Sequence, residues 1–381
     1  MQNKESFDNP FIVSERIIPR YFCDRKEESA QLIRLITNRN NVVLISQRRV
    51  GKTGLIQYCF DQEKIKKNHI TFYVDILSTT NLQEFIFLLG KEIIDKIKPF
   101  GKKMIDKFIE VVKSLSGKIG YDMVTGMPTV NIQLGDVTDP IYSLKEIFSY
   151  LNSADKPCIL AIDEFQQIAR YPEKGVEALI RSHILQINNC RFIFSGSERH
   201  LLEQMFLSPS RPFYNSCSFI ELLIIPRDIY VNFIMKQFKD KTKRISKNLA
   251  EEIYDLFEGL TFYIQYICNS VFEMTPRGNE ATKEMFDKAL SISLYSHDLM
   301  FRERLNQLST RQKELLFAIA ANGAVEHPTS VSFIKENSLA SASAVQTALK
   351  ALIKMEIIER VLDKYSISEK FFALWVKKNY T

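Results

Sequence analysis

Gly51, Lys52 and Thr53 follow one another inside the stretch VVLISQRRVGKTGLIQYCF, residues 42–60, and about 110 positions later Asp163 and Glu164 close a short apolar run. Residue types in this order suit phosphoryl transfer from ATP. Backbone N–H groups in a polar turn, continued by the first N–H groups of a helix, converge on a polyphosphate. Lys52 brings a flexible point charge to the β- and γ-phosphates, and the Thr53 hydroxyl and an Asp163 carboxylate oxygen are hard donors for Mg²⁺. Glu164 can polarise the water that attacks the γ-phosphate. The phosphate cradle is expected from Ser46, Gln47, Arg48, Arg49, Val50, Gly51, Lys52, Thr53 and Gly54. Ser46 stands where the pattern G-x-x-x-x-G-K-[ST] has its first glycine; if that position needs a positive φ, serine costs about 1 kcal/mol.

The elements that must carry these groups are readable around them. A β-branched run precedes the loop, and Leu55, Ile56 and Cys59 mark a helix after it. Asp163 sits at the carboxyl end of an apolar strand, residues 159–162, where an open parallel sheet presents ligand-facing groups. A further strand ends in Ser195-Gly196-Ser197, so Ser195, Ser197 and Arg199 are candidates to sense the γ-phosphate. Arg211, in a proline-flanked loop before a fifth strand, is either a catalytic arginine acting in its own or a neighbouring subunit or a surface arginine. Upstream, Ile17, Tyr21 and Phe22 either line the adenine pocket, with Arg25 at its edge, or fill the core beneath the first helix. A strand is expected over residues 69–77, helices over 82–97 and 104–115, and an inserted β-hairpin over 117–135 around Thr125-Gly126. Residues 226–298 read as helical throughout, and in the aromatic helix that follows Gly259 it is Tyr263 that is expected to approach the nucleotide.

The segments VLISQRRVGKTGLI, ILAIDEFQ, FIFSGSERHLLEQMF and PRYFCDRKEE together resemble the prokaryotic "archaeal-type" P-loop ATPases, a group related to the STAND and AAA+ ATPases and, more distantly, to origin-recognition ATPases. The resemblance runs from Asn9 to Lys378. It implies an α/β fold: a P-loop NTPase core with a parallel five-stranded sheet of the additional-strand type over residues 1–225, a helical lid over 226–300, and a C-terminal winged helix-turn-helix over 301–381. It also implies an ATP-dependent switch or regulator. In the lid, Gly259-Leu260-Thr261 replaces the Gly-x-Pro of the pattern.

The last segment supports the winged helix independently. Ser309-Thr310-Arg311-Gln312 forms a capping box for a helix ending near Gly323, a short helix follows Pro328, and Ser341 opens a third helix with Val345, Leu349, Leu352 and Ile353 as its buried stripe. Two short strands, IIERV and KYSIS, flank Leu362-Asp363 as a wing. From Phe301 onward twelve Lys/Arg stand against eight Asp/Glu, which is most of the chain's net charge of +6. Double-stranded DNA is an expected partner through Ser343, Gln346, Thr347 and Lys350, and a protein client is the other.

Composition bounds the rest. At 381 residues and 45 % hydrophobic content the chain has room for two or three domains with real cores. It begins with no signal-peptide pattern and holds no apolar run of about 18 residues, so no membrane partner is expected. Cys23, Cys59, Cys158, Cys190, Cys217 and Cys268 are scattered and read as reduced core residues of a cytoplasmic protein. The resulting expectation is a Mg²⁺-dependent switch that slowly hydrolyses ATP to ADP and phosphate and couples nucleotide state, through the lid, to a winged-helix DNA- or protein-binding module. The alternatives are a non-hydrolysing nucleotide-binding scaffold and an ATP-dependent, ring-forming homo-oligomer that loads a mobile element.

Overall fold

The computed structural model describes residues 8–13, 19–96, 102–114, 118–121, 128–131, 139–361 and 363–381. The chain divides into two compact units: Ser14–Ile225, and Pro226–Thr381 together with the N-terminal segment ending at Val13.

The first unit alternates strands and helices: α1 (Lys26–Thr37), β1 (Val42–Ser46), α2 (Lys52–Asp61), α3 (Glu63–Asn68), β2 (Ile70–Asp75), α4 (Leu82–Lys96), α5 (Lys102–Ser114), β3 (Lys118–Tyr121), β4 (Pro128–Asn131), α6 (Pro140–Asn152), β5 (Cys158–Asp163), α7 (Val176–Gln186), β6 (Cys190–Gly196), α8 (Arg199–Leu207) and β7 (Ser218–Leu222). Five of the strands form one parallel sheet in the order β2-β5-β6-β1-β7. Strands β1 and β5, reading VVLIS and CILAID, are buried along their whole length. Such continuous apolar runs are what a parallel sheet needs when helices cover both its faces. The additional strand, β6, lies between β1 and β5, as expected. Register places Leu44 beside Ser195 and Ile162 beside Phe194, so the carboxyl ends of β1, β6 and β5 sit side by side. The inserted hairpin is present as the antiparallel pair β3 and β4, while its Thr125-Gly126 turn lies outside the described residues, as does Ile17.

Phenylalanines weld the sheet to its covering segments. Phe194 on β6 lies 4.5 Å from Phe165, 5.3 Å from Phe206 and 5.5 Å from Phe213, ring centre to ring centre. The short 3₁₀ helix after the acid pair (Phe165–Arg170), helix α8 and the loop that follows it are thereby packed on one strand.

The second unit begins with α9 (Arg227–Asp240), β8 (Arg244–Ile245), α10 (Lys247–Leu256), α11 (Thr261–Met274), β9 (Glu280–Ala281), α12 (Lys283–Ser296) and α13 (Asp298–Asn306). Its N-terminal arm, grouped with the core in the sequence reading, is fastened here: Asn9 Nδ2 donates to the Asn269 carbonyl at 3.0 Å, and Phe11 packs 5.5 Å from Phe238. The winged helix follows as α14 (Thr310–Asn322), α15 (Val331–Glu336), α16 (Ala342–Lys354) and the hairpin of β10 (Ile358–Val361) and β11 (Lys364–Ile367). The capping box of Ser309 and Gln312 is formed, and Ser330 and Ser341 cap the next two helices. One stripe position differs from expectation, for Ile353 is 38 % exposed and Ala348 takes its place in the core. A last helix, α17 (Lys370–Tyr380), was not foreseen. Its Phe371, Phe372 and Trp375 are buried; Trp375 donates to Asp298 Oδ1 at 2.8 Å, and Phe372 lies 5.2 Å from Phe301.

Replacing Phe194 with Ala empties the centre of the ring cluster and is expected to cost about 3–5 kcal/mol. Its urea unfolding midpoint, set beside that of Phe194→Leu, tests this; a loss below about 1 kcal/mol contradicts the cluster's role.

Candidate functional site

The loop after β1 takes its shape from two positive-φ residues, Arg49 (φ 68°) and Gly51 (φ 93°), the latter capping α2. Ser46 is not among them and remains in strand conformation, so the strain considered for a serine at that position does not arise. Its buried hydroxyl has no hydrogen-bond partner. Arg25 braces the loop: it is buried, donates to the Val50 carbonyl at 3.3 Å, and pairs with Glu28 at 2.8 Å. A guanidinium so engaged is loop scaffolding and does not form the rim of an adenine pocket.

Lys52, only 8 % exposed, lies between the two acids, with Nζ 3.1 Å from Asp163 Oδ1 and 3.2 Å from Glu164 Oε1. Asp163, 3 % exposed, is fixed at both oxygens. Oδ1 accepts from Ser195 Oγ at 2.7 Å and from the Glu164 N–H at 3.0 Å; Oδ2 accepts from Tyr73 OH at 2.5 Å and from Thr53 Oγ1 at 3.1 Å. Glu164, in the left-handed region (φ 56°), is likewise held: Oε2 accepts from Gln166 Nε2 at 2.5 Å, from Ser197 Oγ at 2.8 Å and from the Ser197 N–H at 3.2 Å. Arg48 Nε in turn donates to Ser197 Oγ at 3.1 Å, linking the phosphate loop to Glu164 through one hydroxyl.

Burial pushes the carboxyls of Asp163 and Glu164 up, but the Lys52 charge and the donated hydrogen bonds outweigh it, and both titrate below their ordinary range. Asp75, beside Asp163 in register, is pushed up chiefly by burial. Burial, reinforced by the Asp163 charge, drives the Tyr73 phenol well above its ordinary value, so its hydroxyl stays a donor. Thr53 Oγ1 and Asp163 Oδ2 form the pair of adjacent hard oxygens that suits Mg²⁺, and the orphaned Ser46 hydroxyl at the head of the loop suits a polar ligand.

Several expected ligands have other work. Ser195 is fully enclosed and steadies Asp163, so it does not touch a phosphate. Ser197 holds Glu164. Arg199 pairs with Glu203 and Glu221, and Arg211 gives its guanidinium to an ion pair with Glu177 of α7, so neither is held out for a phosphate. Tyr21 is a buried core residue, whereas Phe22 stacks on Tyr58 of α2 with ring centres 4.3 Å apart. Tyr263 is wholly enclosed in the second unit, stacked on Phe257 and accepting from the Lys370 N–H at 2.9 Å; its burial rules out nucleotide contact there.

Tyr73 was not singled out in sequence, and Gln166 entered only as the last residue of the ILAIDEFQ segment, with no role given to it. The adjacency of β2 and β5 brings Tyr73 to Asp163, which no local pattern reveals. Gly196 makes room for Gln166: a Cβ there would meet Gln166 Oε1 at 1.9 Å.

A phosphate loop, an acid pair two strands away and an additional strand between them define a P-loop ATPase of the additional-strand class. The family model described as "ATPase domain predominantly from Archaea" matches residues 22–267, and the chain belongs to that family. A second model, "Probable winged helix domain", matches residues 299–378. No curated protein sequence matches the chain. Among solved structures it is similar to the Walker-type ATPase PABY2304 of Pyrococcus abyssi, with a TM-score of 0.66 at 20 % identity over 97 % of this chain and 99 % of that one. It is also similar to the Aeropyrum pernix ORC2 protein in its ADPNP–ADP complexes (TM-score 0.59, 15 % identity, 97 % and 95 % covered). The Aeropyrum pernix ORC1 protein in complex with DNA gives a TM-score of 0.52 at 13 % identity, with 95 % of each chain covered. At these identities the likeness is one of fold.

The acids' pH dependence follows from their depressed values. Their ordinary pKa values are 3.8 and 4.5, so the stability their ionisation contributes is complete above about pH 4.5 and lost as pH falls through the lowered folded values. Lys52→Met removes the charge that does most to lower them and leaves burial opposed only by the donated hydrogen bonds of Tyr73, Ser195, Gln166 and Ser197. The variant should therefore gain less stability than the wild type from acid toward neutrality. Urea midpoints across that range check this; parallel curves would contradict the assigned ion pairs.

Proposed function

We propose that the protein is an ATP-binding and ATP-hydrolysing switch that couples nucleotide state to its winged helix. The observation that carries this reading is the single constellation of Lys52, Thr53, Asp163 and Glu164 at the carboxyl ends of β1 and β5, with Ser197 and Gln166 anchoring the glutamate. In this reading the loop N–H groups and Lys52 bind the β- and γ-phosphates. Thr53 and Asp163 hold Mg²⁺, which supplies charge neutralisation when bound. Glu164 orients a water and accepts its proton as the water oxygen bonds to the γ-phosphorus and the bridging P–O bond breaks, leaving ADP and phosphate.

The output is assigned to α16, whose Ser343, Gln346, Thr347 and Lys350 are all exposed. Duplex DNA is the partner that these side chains and the net charge of the last segment favour, and one solved neighbour of the same fold was captured with DNA. The wing's own cations are partly neutralised, Arg360 by Asp363 at 2.9 Å and Lys364 by Glu326 at 3.4 Å. Phosphate contacts would therefore be few and the salt dependence shallow.

Lys52→Ala is expected to abolish saturable ATP binding, and unchanged affinity would contradict the site. Glu164→Gln should bind ATP yet lose phosphate release by about 10²–10⁴-fold. Phosphate release with and without duplex DNA, using Glu164→Gln as the blank, tests the whole reading. DNA-stimulated turnover supports the coupling, whereas tight ATP retention with no release by the wild type would replace the switch with a non-hydrolysing scaffold.

A further inference from the structure

Strand β2 is an edge of the sheet, and its side chains alternate: Phe72 and Val74 enter the core, whereas Tyr73 takes the other face and is half-buried. Register sets Tyr73 opposite Ala161 and Asp75 opposite Asp163. Tyr73 and Asp163 are thus diagonal neighbours on one face, at a separation of roughly 7 Å that only a long side chain bridges. Alanine at position 161 leaves the aromatic ring room to lean toward Asp163. The tyrosine hydroxyl ends 2.5 Å from Asp163 Oδ2 and 3.3 Å from Thr53 Oγ1. Phenylalanine would fill the same space, so packing alone does not call for this oxygen.

We propose that Tyr73 is a positioning residue for metal binding: its hydroxyl fixes the rotation of the Asp163 carboxylate and keeps Oδ2 turned to Thr53. The proposal rests on the reading of Thr53 and Asp163 as the metal-holding pair. Asp163 is already steadied at Oδ1 by Ser195 and by the Glu164 N–H. Oδ2, the oxygen nearer Thr53, has Tyr73 as its anchor from a separate strand. A metal ion on Thr53 would use a lone pair of Oγ1 and leave its O–H donated to Oδ2, so the Tyr73 hydroxyl, coming from a different direction, would be the second donor that fixes that oxygen. Removing a group that orients a metal ligand in this way costs about 10–100-fold in metal affinity.

Tyr73→Phe keeps the ring and removes the oxygen. A fluorescent ATP analogue is titrated into wild type and variant at rising MgCl₂ and, separately, in EDTA, with urea midpoints confirming that both are folded. The expected result is a rise of about 10-fold or more in the Mg²⁺ concentration for half-maximal effect, with affinity in EDTA unchanged; Mn²⁺ binding read by electron paramagnetic resonance should weaken in step. Tyr73→Met, also without the hydroxyl, should behave alike. An unaltered Mg²⁺ titration overturns the proposal, as does an equal loss in EDTA and in Mg²⁺, the mark of a merely structural role. A wild-type protein that binds the analogue but is indifferent to Mg²⁺ overturns the metal assignment itself and the proposal with it.

Discussion

One ammonium group between two carboxylates, almost out of contact with water, is the constraint around which the first unit is built. Withdrawing any of these charges from solvent costs several kcal/mol, and that cost is offset only if each is paired and its remaining hydrogen-bonding capacity met. The surroundings of Lys52, Asp163 and Glu164 meet that condition. Asp163 accepts from residues on β2, β6 and α2, and Glu164 accepts from Gln166 and twice from Ser197. Removing one member would leave an uncompensated buried charge, a far larger penalty than the net worth of the pair.

That condition reaches outward into the fold. Donors to one aspartate come from three directions only because β6 lies between β1 and β5 while β2 lies on the far side of β5. Gly196 follows from the same demand, since a side chain there would expel Gln166 from Glu164. The ring cluster on Phe194 fixes the segment carrying Phe165 and therefore the carbonyl and amide groups that immediately follow the acids. Arg25, reaching from before α1 to the Val50 carbonyl, sets the height of the phosphate loop against them. Core packing and site geometry are here one arrangement viewed at two scales.

What was legible in sequence is whatever depends on neighbours along the chain. The phosphate loop and its flanking strand and helix, the acid pair behind an apolar strand, and the capping box at Ser309 all declare themselves within a few residues, because phosphate cradles and helix caps are local geometry. The additional strand came from family resemblance rather than from pattern. Groups placed by register between distant strands were not legible: Tyr73 joins Asp163 across ninety positions, and nothing near Tyr73 announces it. Polar residues at strand tips were assigned to phosphate when the buried acids claimed them first, as with Ser195 and Ser197. Tyr263 was misplaced for a related reason. An aromatic residue in a lid helix is a core residue or a ligand contact according to what covers it, and α17, lying more than a hundred positions later, was not foreseen.

The charges of the site also constrain how a nucleotide can enter. With Lys52 serving both acids the constellation carries a net charge of −1, and a polyphosphate that recruits Lys52 leaves two carboxylates facing several negative oxygens. Like charges about 4 Å apart cost about 4 kcal/mol at the effective dielectric of such a site. Nucleotide alone would therefore be opposed by the very acids that complete the site, and in the proposed reading a divalent cation on Thr53 and Asp163 would reverse the sign of that interaction. Whatever free energy the cation lent to the nucleotide, the nucleotide would lend equally to the cation, so the two would bind as a coupled pair. Glu164 ends such an exchange in a different position from Asp163. Oε2 is retained by Gln166 and Ser197, while Oε1 loses its lysine partner. A carboxylate anchored at one oxygen and free at the other is what orienting a single water requires, and in this reading it is the departure of Lys52 to the phosphates that creates it.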